Sequence, residues 1–420
     1  MTHSDNPTDA FEPRSAIART LVERGYVNQV TDLAGIDSAF AAGIVPVYAG
    51  FDATADSLHV GHLMPIMSLR RMQQAGHKPI VLIGGGTTRI GDPSFRSAAR
   101  PMLSEEEIAA NVAGIRTVFE RLLTFGDGPT DAVLVNNADW LDRMAWIDML
   151  RDVGKHFSVN RMLSFDSVKS RLEQQENLSF LEFNYMILQA VDFLELFRRT
   201  GCRLQLGGGD QWGNIVGGVD LLRRIEGAEV FGMTTPLLTT ASGVKMGKTA
   251  AGAVWVNADR LSPYDYWQFW RNAEDADVVR FLKLFTELPL DEIERLGRAE
   301  GAELNAVKER LANEATALVH GVDAARQAQE TARQAFGAGE AAEGLPTVVL
   351  SDAERLSGIG LVDLVVRAGL AASKSEARRA IAGRSIRLAG DVVAVVDTII
   401  RPETLPLRLS FGRKLHVVVK

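Results

Sequence analysis

Residues 45–51 (VPVYAGF) form a short apolar run that gives way to polar turn residues, and Lys78–Ile83 (KPIVLI) repeats the pattern before Gly84-Gly85-Gly86. Runs of this length, bounded by turn residues, read as buried strands. Between them, Leu63–Gln74 (LMPIMSLRRMQQ) has helical spacing and stops before Ala75-Gly76, a C-cap signal. Strand, helix, strand with glycines after the strands predicts an α/β, doubly wound parallel sheet of Rossmann-like type, with its ligand site beyond the C-terminal ends of the strands. Residues 132–136 (AVLVN) and 204–206 are the third and fourth strand candidates. From 262 to 340 the pattern changes to long Ala/Glu/Arg/Leu-rich stretches, predicting an all-helical domain. Residues 337–346 (GAGEAAEGLP) read as a linker, and the stretch after it as two short helices followed by a turn and strands, a small α+β module. The expected division is therefore 1–260, 261–345 and 346–420.

A chain of 420 residues is long enough for two or three domains. With 46% hydrophobic and 24% charged residues it has a globular composition, and no segment approaches the apolar length of a bilayer span. The N-terminal stretch is polar and unlike a signal peptide, and the single cysteine, Cys202, excludes an internal disulfide framework. A cytoplasmic protein is expected, with no membrane association. The net charge of −7 hides an asymmetry: from Ser351 onward there are 12 Lys+Arg against 7 Asp+Glu, and before it 34 against 46. On charge alone, the basic tail is either a solvated surface or a nucleic-acid contact.

Candidate chemistry concentrates in two places. In YAGFDATADSLHVGHL (residues 48–63), His59 and His62 stand three apart where a helix begins, so both imidazoles are expected on one face of its first turn. Free N–H groups and the positive dipole end there suit a polyphosphate, and Gly61 between them leaves room for a flat base. In KMGKT (residues 245–249), two lysines three apart in a small-residue loop suit a triphosphate and the charge that develops on leaving pyrophosphate. A histidine pair alone is more often core packing, and a lone KxxK more often a solvated loop. The other glycine-rich strings, GGGTTRIGD and GGGDQW, meet neither the P-loop nor the dinucleotide fingerprint, and His77, His156, His320 and His416 have no metal-spaced partners.

Taken together, about 185 positions apart, the histidine and lysine elements resemble the two signatures of class I aminoacyl-tRNA synthetases. GHKPIVLIGGGTTRIGDPS, RDVGKHFSVNRM, NYMILQAVDF and GGGDQWGNI narrow the resemblance to the bacterial tyrosyl enzymes, over nearly the whole chain. Two positions depart from that pattern: Ala49 stands where cysteine is common, and the lysine loop has Gly-Lys-Thr in place of Ser-Lys-Ser. The resemblance implies that Tyr48 and Asp192 hold the substrate phenol, that Asp92, Tyr185 and Gln189 cradle its α-ammonium group, and that Gln211 lies near its carboxylate. Tyr185, Gln189 and Asp192 fall at i, i+4 and i+7, and a buried helical stripe carrying Gln and Asp is costly without a polar ligand. On the ATP side it implies Thr54 and His59 at the phosphates, His62 and Asp210 at the ribose, and Gly61 with Asp52 near the adenosine. Lys245, Lys248 and Thr249 resemble the mobile loop that grips pyrophosphate, with Arg96 and Arg100 on the opposing side.

The implied activity joins tyrosine to its transfer RNA in two steps through a tyrosyl-adenylate, with ATP accompanied by magnesium and no protein-bound metal. The tail resembles a small RNA-binding module also found in a ribosomal protein, with Lys374, Arg378, Arg379, Arg384 and Arg387 as its basic face. The family implies a homodimer. A tryptophanyl enzyme shares the architecture, but an indole N–H only donates and leaves the Tyr48 donor unused. An RNA-binding protein that keeps the scaffold without the activity is a third reading, disfavoured by the intact histidine and lysine elements.

Overall fold

The computed structural model describes residues 11–94, 102–243, 246, 248–249, 252–337, 345–401, 404–412 and 415–420. They divide into two compact units, one built from Met1–Lys245 with Val279–Glu294, the other from Met246–Val278 with Arg295–Lys420.

The first unit is organised on a six-stranded sheet: β1 (Gln29–Val30), β2 (Pro46–Phe51), β3 (Lys78–Ile83), β4 (Val133–Asn136), β5 (Leu204–Gly208) and β6 (Phe231–Thr235). The order is β1-β6-β5-β2-β3-β4, parallel throughout except for the antiparallel β1–β6 edge. Four of these strands sit where the apolar runs predict them. The two missing from the sequence reading are the edge pair: β1 is only two residues long, and β6 (FGMTT) carries two threonines and a glycine that blur its apolar signal. The chain winds outward from β2 through β3 to β4, then crosses to β5 and β6 on the other side. The switch point therefore lies between β2 and β5, and a ligand crevice is expected beyond their C-terminal ends.

Four helices carry the rest of the argument: α1 (Leu63–Gln74), α2 (Glu105–Leu122), α3 (Tyr185–Thr200) and α4 (Trp212–Ile225). α1 covers the Leu63–Gln74 that helical spacing predicts, but the turn at the histidine pair, expected as the first turn of the helix, is not α-helical. A 3-10 turn, Val60–His62, precedes α1, and the α-helix proper begins at Leu63. Pro65 gives the reason: an α-helix starting at Val60 would need an N–H from residue 65 for the Gly61 carbonyl, and proline has none. The segment leading into α3 is held by a buried ion pair, Arg171 Nη1 to Glu182 Oε1 at 2.8 Å, while Glu182 also accepts from the Ser179 N–H and hydroxyl. Removing one partner would leave a buried charge uncompensated, so the pair fixes the approach to α3 firmly. The apolar side of α3, with Met186, Ala190, Val191, Phe193 and Leu194, packs into a core that includes Tyr48, Ile80 and Leu82.

The return segment of the first unit is tied down through its carbonyls. Arg24 donates to Lys283 O, Thr286 O and Leu288 O, Arg71 to Thr286 O, and the buried Tyr26 hydroxyl to Leu284 O. In the second unit, helices Pro263–Arg271, Glu303–His320 and Val322–Gly337 pack on one another. It also holds a C-terminal five-stranded sheet with a core of its own, in which Leu361, Leu364 and Val365 from one short helix and Ala377 and Ile381 from a second meet Ile386, Leu409 and Val419 from the strands. The predicted pair of short helices, Leu361–Arg367 and Lys374–Ala382, followed by strands is what forms. Of the 337–346 linker, residues 338–344 lie outside the described residues.

Candidate active site

Strands β2, β3 and β5, the turns after them and the N-terminal half of α3 supply seven of the predicted residues, Tyr48, Asp52, Asp92, Tyr185, Gln189, Asp192 and Gln211, to one linked set of contacts. Tyr48 lies on β2, its ring 5.3 Å from that of Phe193 on α3, and its hydroxyl is fully buried with no hydrogen-bond partner among the described residues. Burial and then the nearby charge of Asp192 hold its ionisation well above the ordinary tyrosine value, so it is a neutral donor and acceptor. Asp192, itself buried, accepts from Trp140 Nε1 at Oδ1 (2.8 Å) and from Asn137 Nδ2 at Oδ2 (3.0 Å). Burial pushes its carboxyl up to about 7 against those two bonds, which favour the anion. An orphaned hydroxyl beside a carboxylate of fixed orientation offers one partner of each kind to a group that both donates and accepts. A phenol is such a group.

The polar chain continues from there. Asn137 Nδ2 also reaches Thr87 Oγ1 at 3.0 Å, the Thr87 hydroxyl donates to Asp52 Oδ1 at 2.8 Å, and the Tyr185 hydroxyl donates to Asp52 Oδ2 at 3.1 Å. The Asn137 amide oxygen accepts from Gly86 N at 2.8 Å. Asp52, inferred as an adenosine neighbour, is thus also joined to the Tyr185 side of the pocket. Nearby, Gln211 Nε2 donates to Asp92 Oδ2 at 2.8 Å, and Asn214 Nδ2 donates to both Gln189 Oε1 (3.0 Å) and Gln211 Oε1 (3.2 Å). Asp92, Gln189 and Gln211, far apart in sequence, therefore form one hydrogen-bonded group around Asn214.

His59 and His62 adopt a more definite arrangement than a shared helical face. Gly61 N donates to His59 Nδ1 at 3.1 Å, His59 N donates to His62 Nδ1 at 3.2 Å, and the rings lie 3.9 Å apart. The pair is a capping box written in imidazoles. With Nδ1 of each ring accepting a backbone N–H, the neutral rings carry their protons on Nε2, a donor suited to a phosphate or ribose oxygen. Thr54 is exposed in the loop after β2, and Asp210 sits in the 3-10 turn Gly209–Gln211 after β5.

Arg96, Arg100 and Lys245 lie outside the described residues, while Lys248 and Thr249 form a short strand of the second unit paired with Gly252–Ala253. Lys374, Arg378, Arg379, Arg384 and Arg387 are all exposed on the C-terminal module; Lys374 pairs with Asp363 at 2.6 Å, and Arg387 donates to Gly390 O at 3.2 Å. The sequence reading missed Asn137, Trp140, Thr87 and Asn214. One signal was present: Asn136-Asn137 ends an apolar strand on the side where such sheets bind ligands.

Three comparisons bear on this geometry. The family described as tRNA synthetases class I (W and Y) matches residues 43–337. The tyrosine–tRNA ligase of Dinoroseobacter shibae is 57% identical over 98% of this chain and 99% of its own, and that of Zymomonas mobilis 59% identical over 97% and 98%. The chain belongs to this family. Among solved structures, a C-terminally truncated mitochondrial tyrosyl-tRNA synthetase from Aspergillus nidulans aligns with a TM-score of 0.70 at 32% identity, covering 77% of this chain and 95% of that one. The expected class I synthetase fold and ligase activity therefore hold. No helix among the described residues is long and apolar enough to cross a membrane, and no three His, Cys, Asp or Glu side chains among them cluster as a metal site.

Proposed function

We infer that the chain is a ligase that activates L-tyrosine with ATP and transfers it to the 3′ end of its transfer RNA. The observation that carries tyrosine in particular is the unpartnered, buried Tyr48 hydroxyl beside Asp192, whose two oxygens are pinned by Asn137 and Trp140. A phenol O–H donates to the carboxylate and accepts from Tyr48, whereas an indole N–H satisfies only the first. Tyrosine's carboxylate attacks the α-phosphorus of ATP and pyrophosphate leaves; the terminal ribose hydroxyl of the transfer RNA then takes the tyrosyl group from AMP. The chain's own residues bind, orient and stabilise charge. Asp92, Tyr185 and Gln189 hold the α-ammonium group, Gln211 lies near the carboxylate, and the Nε2 protons of His59 and His62, with Thr54 and Asp210, meet phosphate and ribose. Lys245, Lys248 and Thr249 act on the leaving pyrophosphate, opposed by Arg96 and Arg100, and Gly61 and Asp52 neighbour the adenosine. ATP enters as its magnesium complex, the ion held by phosphate oxygens and water.

The same reading assigns parts to the rest of the chain: catalysis to 1–260, the anticodon side of the transfer RNA to the helices of 261–345, and an RNA clamp to 346–420 through Lys374, Arg378, Arg379, Arg384 and Arg387. It places the enzyme in the cytoplasm and makes it a homodimer. Trp146, Ile147, Val159, Phe180 and Leu181 are large apolar side chains exposed on the first unit, with the Trp146 and Phe180 rings 6.2 Å apart, and a second copy is the partner proposed to cover them. The deciding experiment is tyrosine-dependent exchange of pyrophosphate into ATP, run beside tryptophan and phenylalanine. Exchange with tyrosine alone supports the assignment; exchange with tryptophan, or none, overturns it.

A further inference from the structure

Helix α2 carries a glycine near its middle, Gly114, where alanine has the higher helix propensity. Its surroundings give the reason. A Cβ on Gly114 would lie 2.1 Å from the backbone oxygen of Asp56, 2.9 Å from that residue's carbonyl carbon and 3.1 Å from its Cα. The obstacle is main chain, so no side-chain rotation relieves it, and the loop after β2 occupies the place a side chain would take. Three residues earlier on the same face of α2, Asn111 Nδ2 donates to the Ala53 carbonyl at 2.8 Å. The Ala53 N–H in turn donates to Thr88 Oγ1 at 2.8 Å. Both peptide groups of Ala53 are thus held by side chains from other elements, and Ala53 is fully buried while Thr54, the next residue, is exposed.

We propose that Asn111 and Gly114 are positioning residues for adenylate formation: together they set the height of the backbone from Ala53 to Asp56, and so the placement of Thr54 and of the turn that carries His59 and His62. This rests on the reading that those residues meet the ATP phosphates. Neither α2 residue touches a substrate. Their effect comes through the loop, where a displacement of about 1 Å costs about 10²-fold in rate. Tyrosine binding is insulated from the same displacement, because Asp52 is anchored separately by Thr87 and Tyr185.

The test compares Gly114→Ala, Asn111→Ala and Thr54→Ala in the full chain, reading thermal stability, tyrosine affinity by equilibrium dialysis and the single-turnover rate of adenylate formation. The expected result is a Gly114→Ala protein that folds and binds tyrosine as the parent does but forms adenylate about 10²-fold more slowly, with Asn111→Ala following in the same direction. Asn111 supplies the second route to an answer if Gly114→Ala fails to fold. Parental adenylate rates in a folded Asn111→Ala or Gly114→Ala protein, with Thr54→Ala impaired, overturn the positioning role and leave the phosphate loop standing. Parental rates in all three overturn the reading of the loop as well. Loss of tyrosine affinity in step with the rate shows a general disturbance and also overturns the proposal.

Discussion

Trp140 donates its indole N–H to Asp192 Oδ1 at 2.8 Å, and this bond and the one from Asn137 oppose the burial that otherwise drives the Asp192 carboxyl upward, leaving it at about 7. That value gives a pH dependence with a definite sign. The carboxylate is the form that accepts the phenol proton, so tyrosine affinity should rise with pH, level off above about 7 and fall about tenfold for each pH unit below it. Stability of the ligand-free protein should move the other way. The folded-state value lies above the unfolded one, so this group's contribution is complete below the unfolded carboxylate value and is lost as pH rises through about 7. Equilibrium dialysis of tyrosine from pH 5.5 to 8 checks the first statement, and a flat affinity profile removes Asp192 as the proton acceptor.

Much of this was legible because chemistry and fold share the same signals. Strands β2 and β3 are apolar on both faces, and the strings that end them, FDAT and GGGTT, carry the polar residues of the site. The resemblance singles out Tyr185, Gln189 and Asp192, and helical spacing then puts them on one face. What stayed hidden depends on contacts between distant segments. Asn214 reaches Gln189, and Trp140 orients Asp192, through bonds of 25 and 52 positions' separation that no local pattern announces. The histidine pair shows the opposite lesson: spacing placed it correctly at a helix start, but Pro65 made the first turn 3-10 and the rings became caps. Gly114 reads as an ordinary helix flaw until the Asp56 carbonyl is seen beside it.

Lys248→Ala is expected to lower the single-turnover rate of adenylate formation by about 10²-fold or more while leaving tyrosine affinity nearly unchanged. The reason is that a cation acting on leaving pyrophosphate meets charge that develops only in the transition state. Rapid-quench measurement at saturating tyrosine and ATP decides this, and a parental rate would take the lysine loop out of the mechanism.

Removal of residues 346–420 should leave tyrosine-dependent pyrophosphate exchange largely intact and impair aminoacylation of transfer RNA. The module's core draws on its own residues, from Leu350 to Val419, so its loss need not unravel what precedes it. Lys374, Arg378, Arg379, Arg384 and Arg387 lie on its exposed surface, where phosphate contacts make binding salt-dependent. Aminoacylation at two salt concentrations, parent against truncated protein, reads the effect. Equal rates in a folded truncated protein would show that the tail is not an RNA clamp.

The phenol reader can be tested by what it refuses. Phenylalanine entering this pocket leaves the Tyr48 hydroxyl and the Asp192 carboxylate facing a missing group, and buried polar atoms without partners are costly. Asp192→Asn keeps the volume but replaces an acceptor-only group with one that also presents donors, so the bond to the phenol proton is lost or inverted. Hydrogen bonds to a charged partner contribute about 1.5–3 kcal/mol, which corresponds to a loss in kcat/KM for tyrosine of about 10- to 100-fold. Phenylalanine, which never made that bond, should lose far less, and the ratio between the two should narrow by a similar factor. Trp140→Phe is the milder companion: it keeps the pocket carboxylate but removes one of the two donors that favour its anion, so it should move the pH dependence of tyrosine affinity upward rather than abolish discrimination. Pyrophosphate exchange with both amino acids, for parent and both variants, separates the cases. An Asp192→Asn protein that folds and keeps the parent's ratio would show that Asp192 does not read the phenol.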